Sequence, residues 1–330
     1  MPDRWVRFVN PAPSELVGWF ASSDAEDLRF DRIHPVARAA IENCDRQFSD
    51  PFPRVEVHGH YVFGMLATPT SVEDERSDFC VVHFLASLEQ VVTIIRSRPA
   101  FDVSGLTRKI EDAAGMFEKG ERSIGLAIAK VAEVFVAHLE SGLESLRTSI
   151  QADLEKVTVE SKQIPSNADP DELAELYRRT ALYKTEIVSL ATVVTETKNV
   201  FKEITADEVD VHSSDASQED VFPPRVEIWI KDLLMRTRHL TSIRDNLESD
   251  LDLMFERFQE IQNTQQTATS RKITGVLSIL LLPQLIAGYF GQNFDRTPGY
   301  RQELGWLYSL VFIALVSVGQ FYWFKKKKYL

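Results

Sequence analysis

Ile273 to Phe294 reads ITGVLSILLLPQLIAGYFGQNF, and Leu304 to Phe324 reads LGWLYSLVFIALVSVGQFYWF. The first run has 22 residues and the second 21, and neither contains a charge. About 20 apolar residues in a helix cross a hydrocarbon core, so the two runs predict transmembrane helices. Only nine residues, Asp295 to Glu303, separate them. The helices must therefore form a hairpin whose outer ends lie on one side of the bilayer. Arg271 and Lys272 precede the hairpin, Lys325, Lys326, Lys327 and Lys328 follow it, and the loop carries two acids and two bases. The positive-inside rule puts the preceding body and the C-terminus in the cytoplasm and the loop outside. Tyr300, Trp306 and Tyr308 at one interface and Tyr322 and Trp323 at the other match aromatic belts. The competing reading is a buried hairpin in a soluble protein, since a helix apolar all round is covered either by protein or by lipid.

Working outward, the 330 residues are 44% hydrophobic and 26% charged, which excludes a disordered or collagen-like chain. The net charge of -12 is unevenly spread. Residues 271–330 hold eight basic and two acidic residues, +6, whereas the rest holds 29 basic and 47 acidic, -18. An acidic body excludes nucleic acid as a partner, because phosphate recognition needs clustered Lys and Arg. Cys44 and Cys80 lie far apart and read as core thiols, not as a disulfide or zinc pattern. No apolar run follows the N-terminal Met-Pro-Asp-Arg-Trp-Val-Arg, so no cleaved secretory signal is expected. No phosphate loop, nucleophile elbow or metalloprotease motif occurs, so the sequence gives no ground for an enzyme. His58 and His60 are the one close histidine pair; on a strand they share a face, a conceivable zinc site that lacks a third ligand.

The body predicts an α/β region over residues 1–105, with strands within 4–9, 54–67 and 78–96 and a helix from Pro35 to Phe48. Residues 106–222 form a helical region and connector. Apolar residues at helical spacing from Gly105 to Val157 and from Asp171 to Ile204 predict long amphipathic helices, with a turn at Gln163 to Pro170. Asp207 to Glu219, rich in Asp and Ser, predicts an exposed connector ended by Pro223 and Pro224. After it, Ile230, Leu233, Thr237, Leu240, Arg244, Leu247, Leu251, Met254, Phe258 and Ile261 keep a 3,4 step, predicting a stalk helix over 223–272. That helix continues into the first span (273–294). From Arg225 to Tyr289 it has 65 residues, or on the order of 100 Å at about 1.5 Å each. The loop is 295–303, and residues 304–330 form the second span and basic C-terminus.

The first span carries a polar stripe. Ser270, Thr274, Leu277, Leu281, Gln284 and Gly288 step by three and four and share one helix face. An amide as deep as Gln284 needs a partner or water, so this face lines either a helix contact or a hydrated path. Two helices cannot enclose such a path, so transport would require several copies around an axis.

The stretch Leu285-Ile-Ala-Gly-Tyr-Phe-Gly-Gln-Asn-Phe294, the short loop, the second span and the ending Tyr322-Trp-Phe-Lys-Lys-Lys-Lys-Tyr-Leu330 resemble the C-terminal hairpin of CorA-type divalent-cation channels. Phe290, Gly291, Gln292 and Asn293 stand where that family carries Tyr-Gly-Met-Asn. The resemblance implies an α/β cytoplasmic funnel domain, long stalk helices and a two-helix transmembrane hairpin, assembled as a homopentamer in the inner (plasma) membrane. It implies a divalent cation as substrate and regulator, Mg²⁺ or a transition metal such as Zn²⁺, Co²⁺ or Ni²⁺, with no organic cofactor. Gln292 in place of Met leaves the ion open, as in ZntB-like members. By the same resemblance Gly291, Gln292 and Asn293 form the selectivity loop, Asp232 is a regulatory carboxylate, and Lys325, Lys326, Lys327 and Lys328 form a basic ring. A Gly-x-Asn turn offers backbone carbonyls and a neutral amide oxygen to the ion's water shell, while Leu281 can gate by dewetting. The alternative is a membrane-anchored structural or regulatory relative that does not conduct.

Overall fold

A computed structural model describes residues 5–22, 33–42, 48–70, 78–98, 102–119, 123–162, 170–206, 208–209, 211, 220–291 and 305–327. The chain forms two compact units. The first joins Met1–Glu155 to Glu175–Leu253, and the second joins Lys156–Ala174 to Met254–Leu330.

The first unit opens with β1 (Trp5–Val9), α1 (Pro13–Ser22) and α2 (Pro35–Glu42). Four further strands follow: β2 (Arg54–His58), β3 (Tyr61–Pro69), β4 (Phe79–Ser87) and β5 (Val91–Arg96). The two longer strand regions expected from sequence are thus hairpins. Gly59, at φ +65°, starts the turn between β2 and β3, a conformation that favours glycine. The Ser87 hydroxyl accepts from the Glu89 and Gln90 amides and closes the turn between β4 and β5. Strand order is β1-β5-β4-β3-β2, antiparallel except for the parallel β1–β5 pair.

Every residue of β3 and β4 is buried, so the central strands are covered on both faces and read as nearly unbroken apolar runs. On one face Phe63, Leu85 and Ile94 pack with Leu16 and Phe20 of α1 and Ala37 and Ile41 of α2. On the other face the Phe84 ring lies where a Cβ on its partner Gly64 would stand, so glycine makes room for an aromatic in mid-sheet. Cys80 is buried within β4, and burial pushes its thiol up to about 12; Cys44 lies outside the described residues.

The helical region differs from its sequence expectation at two places. The stretch from Gly105 is not one helix but α3 (Ser104–Lys119) and α4 (Ile124–Lys162). After α5 (Pro170–Thr205), Val209 and Val211 are buried and the Val221 amide bonds to the Val211 carbonyl, so these parts of the expected connector are packed against protein. The other residues of 207–219 except Glu208, like 163–169, lie outside the described residues.

Pro224–Gly291 is a single 68-residue helix, α6, that runs through Pro283. Its 3,4 stripe is buried as the spacing predicts: Ile230, Leu233, Thr237, Leu240, Leu247 and Leu251 are at most 3% exposed. In the first unit this stripe is spent inside one chain, because α6 is tied to α4 and α5. Arg236 pairs with Glu140, Lys130 sits 4.2 Å from the Trp229 ring centre, and Lys184 pairs with Asp252. Asp153 of α4, 2% exposed, accepts from Arg179 at 2.9 Å and from the Tyr183 hydroxyl at 3.0 Å, linking α4 to α5. In the second unit Val157, Met254, Phe258 and Ile261 are buried, and α7 (Gly305–Lys326) is the second apolar helix.

The conceivable zinc pair His58 and His60 gains no third His, Cys, Asp or Glu ligand among the described residues. His60 lies in the turn, whereas His58 stacks on His34 at 4.4 Å and bonds to Glu56 at 2.9 Å.

Candidate functional site

The membrane-length helices are exposed as single-chain elements: 6% of the most apolar window of α6 is buried and none of that of α7. That decides against a hairpin covered by its own chain. Apolar surface of this extent is stable in contact with lipid or with other copies.

Ser270, Thr274, Leu277, Leu281, Gln284 and Gly288 are all exposed on α6, with Leu277 at 50% and Leu281 at 60%. The half-covered or buried positions are Gly275, Ser278, Ile279, Pro283 and Ile286. At about 100° per residue these two sets point in roughly opposite directions. Gln320 of α7 donates to the Ser278 carbonyl at 3.4 Å on the covered side. On α7 the positions Ser309, Ile313, Val316, Ser317, Gln320 and Phe324 are half-covered, again at three and four. The second helix of the hairpin thus backs the first and leaves the polar stripe free.

Gln320 was not among the residues singled out from sequence. Its signal was an amide inside an otherwise apolar run, where an unpaired polar group is costly and an interhelical hydrogen bond relieves the cost.

Gly291 is the last residue of α6 and is exposed, while Gln292 and Asn293 lie outside the described residues. Asp232 is exposed on α6 within the first unit. Among the described residues no group of three His, Cys, Asp or Glu side chains is placed to hold a metal ion. Lys325 and Lys326 end α7, Lys327 continues in a turn bonded to Trp323, and Lys328 lies outside the described residues. Lys325 and Lys326 stand at a helix C-terminus, where positive charge is favoured by the helix dipole.

The sequence profile of the family described as "CorA-like Mg2+ transporter protein" matches residues 18–326. The chain belongs to this family. No curated protein matches it. Among solved structures it is similar to the complete CorA magnesium transporter from Methanocaldococcus jannaschii, with a TM-score of 0.67 and 14% identity over 99% of this chain and 91% of that one. It is also similar to the full-length CmaX protein, with a TM-score of 0.61 and 14% identity over 98% and 87% of the two chains. The soluble domain of the same archaeal CorA matches 78% of this chain and 88% of its own length, at a TM-score of 0.52 and 13% identity. The fold of this CorA-like chain is therefore an N-terminal α/β domain, a long helix and two apolar C-terminal helices, the architecture of a membrane protein. Family membership places it among divalent-cation transporters.

Proposed function

We propose that the protein is a homopentameric channel or transporter for a divalent cation, with Mg²⁺ the first candidate and Zn²⁺, Co²⁺ and Ni²⁺ the others. One observation carries the reading. The stripe Ser270, Thr274, Leu277, Leu281, Gln284 and Gly288 is exposed on the face of α6 opposite the one backed by α7. Placed around an axis, five such faces enclose a path of alternating hydroxyl, apolar and amide rings. A hydrated ion passes such rings through its own waters. Leu277 and Leu281 form the constriction that closes by losing water, and Gln284 is the polar station beyond it.

The mouth is Gly291-Gln292-Asn293. Neutral amide oxygens from five copies of Asn293 hold the ion's hydration shell without stripping it, which suits Mg²⁺ because it dehydrates reluctantly. Gln292 adds a donor and an acceptor to that ring and sets which ion is preferred. The spans insert in the inner membrane with both termini cytoplasmic, Lys325, Lys326, Lys327 and Lys328 forming a basic collar at the inner face. Asp232 on the stalk is a carboxylate available to a regulatory ion shared between copies. The body comprises residues 1–105 and 106–222, joined by the 223–272 stalk to the membrane segments.

Flux into proteoliposomes tests this reading, comparing Mg²⁺, Zn²⁺, Co²⁺ and Ni²⁺ with the native protein and Asn293→Ala. Uptake by the native protein and at least a tenfold loss in the variant is the expected outcome. Folded oligomers that pass none of the four ions would overturn it in favour of a non-conducting anchor.

A further inference from the structure

The first unit contains a cavity of about 430 Å³ that the conduction pathway does not use. Its wall is built from the end of β3, α4 and α5, elements far apart in sequence. Three of its hydroxyls have already committed their hydrogens. Thr70 donates to the Asp78 carbonyl at 2.7 Å, Ser149 to the Ser145 carbonyl at 3.2 Å, and Tyr183 to the Asp153 carboxylate at 3.0 Å. What these groups can still offer a guest is lone pairs.

Two titratable side chains share the wall, Glu186 of α5 and His138 of α4. No hydrogen bond or ion pair is made by either among the described residues. Burial raises the carboxyl of Glu186 above its ordinary value, the mark of an anion lacking a counter-charge. His138 is lowered by burial and by Lys109 of α3, which keeps the imidazole neutral and leaves one ring nitrogen as an acceptor. Among the described residues no Lys or Arg lines the cavity, and Arg179, the nearby guanidinium of α5, is bound to Asp153 and the Tyr183 hydroxyl.

Among the described residues the cavity wall is therefore rich in acceptors and carries one acidic group and no Lys or Arg. No three His, Cys, Asp or Glu side chains among the described residues are grouped to hold a bare metal ion, whereas six waters at about 30 Å³ each need only about 180 Å³. We propose that this cavity binds a cation clad in its own hydrogen-bond donors, with Glu186 supplying the charge and His138, Ser141 and Ser145 accepting from the donor shell. A hexahydrated divalent ion and a small aliphatic diammonium share this chemistry. The inference rests on the cavity alone and stands whether or not the protein conducts.

Calorimetric titration of the full-length protein in detergent tests it, in the Asn293→Ala background so that the proposed pore mouth does not contribute. The probes are cobalt(III) hexammine, which cannot exchange its ligands, Mg²⁺ and 1,3-diaminopropane. Hexammine is expected to bind once per chain, and Glu186→Gln, which keeps shape and removes charge, to weaken it at least tenfold. Ser145→Leu, which fills the space and spares the carboxyl, is expected to do the same. Mg²⁺ competing with hexammine identifies a hydrated ion as the guest, and tighter binding of the diamine identifies an organic one. Absence of hexammine binding, or an isotherm that both folded variants leave unchanged, overturns the proposal. So does Mg²⁺ binding that Glu186→Gln weakens but hexammine cannot compete for, because it requires direct coordination in the cavity.

Discussion

In β4 every side chain from Phe79 to Ser87 is buried, whereas in α7 Leu310, Leu315 and Tyr322 are 55 to 71% exposed. The two segments are similarly apolar, and only their surroundings differ. In the first unit the hydrophobic effect is satisfied inside the chain, by packing a sheet between layers of helix. In the second, the same side chains point outward and wait for lipid or other copies of the chain. Stability and function should therefore respond to mutation in different places. Core substitutions in the first unit act on folding, and substitutions on the exposed face of α6 are expected to act on the proposed ion path.

Phe84→Ala is the sharpest way to probe the first half of that contrast. The ring is 1% exposed and fills the space over Gly64, and its removal is expected to cost about 3–5 kcal/mol in denaturant unfolding. A cost below about 1 kcal/mol would break the picture of a close-packed sheet. His83→Phe comes next and is read in the pH dependence. His83 is fully buried in β4 beside Phe63, and burial with Arg96 and Arg54 pushes it down from 6.5 to about 3. The unfolded chain therefore takes up this proton first as pH falls. Stability contributed by the neutral ring is complete above about 6.5 and drains toward about 3, at up to about 1.4 kcal/mol per pH unit. Thermal unfolding of the variant between those limits should show a shallower acid slope by that amount; an unchanged slope would mean that His83 is not the titrating group.

The smallest effect on stability is expected at Leu281→Ala. The side chain is 60% exposed, and a substitution there should change unfolding by no more than about 0.5 kcal/mol. Flux should nevertheless rise in the closed state, because the substitution widens the proposed apolar constriction. A loss of several kcal/mol with no change in flux would place Leu281 in a packed contact and reverse the contrast for this face.

Much of the architecture was legible because its signals are local. The two uncharged runs revealed the hairpin, and the 3,4 step from Ile230 to Ile261 located the buried stripe of α6. The partner of that stripe was not legible: spacing shows that a face is buried, but not that α4 and α5 of the same chain cover it. Sheet order was hidden for the same reason, since β1 lies parallel to β5 across more than 80 residues. The His58–His34 stack joins a strand end to the segment before α2, which no spacing rule connects. For the candidate pore, periodicity picked out six residues that share an exposed face of α6, but not Gln320, whose bonding partner Ser278 lies 42 residues away. The acceptor-lined cavity was invisible because its wall is gathered from positions 69 to 190.

The five strands among the described residues lie within the first 96 residues, and the first uncharged run begins only at Ile273. At about 5–20 residues per second, the intervening chain takes a ribosome roughly 10–35 s to make. Mixed α/β domains fold in less than seconds. The sheet thus has time to close before the first uncharged run is made.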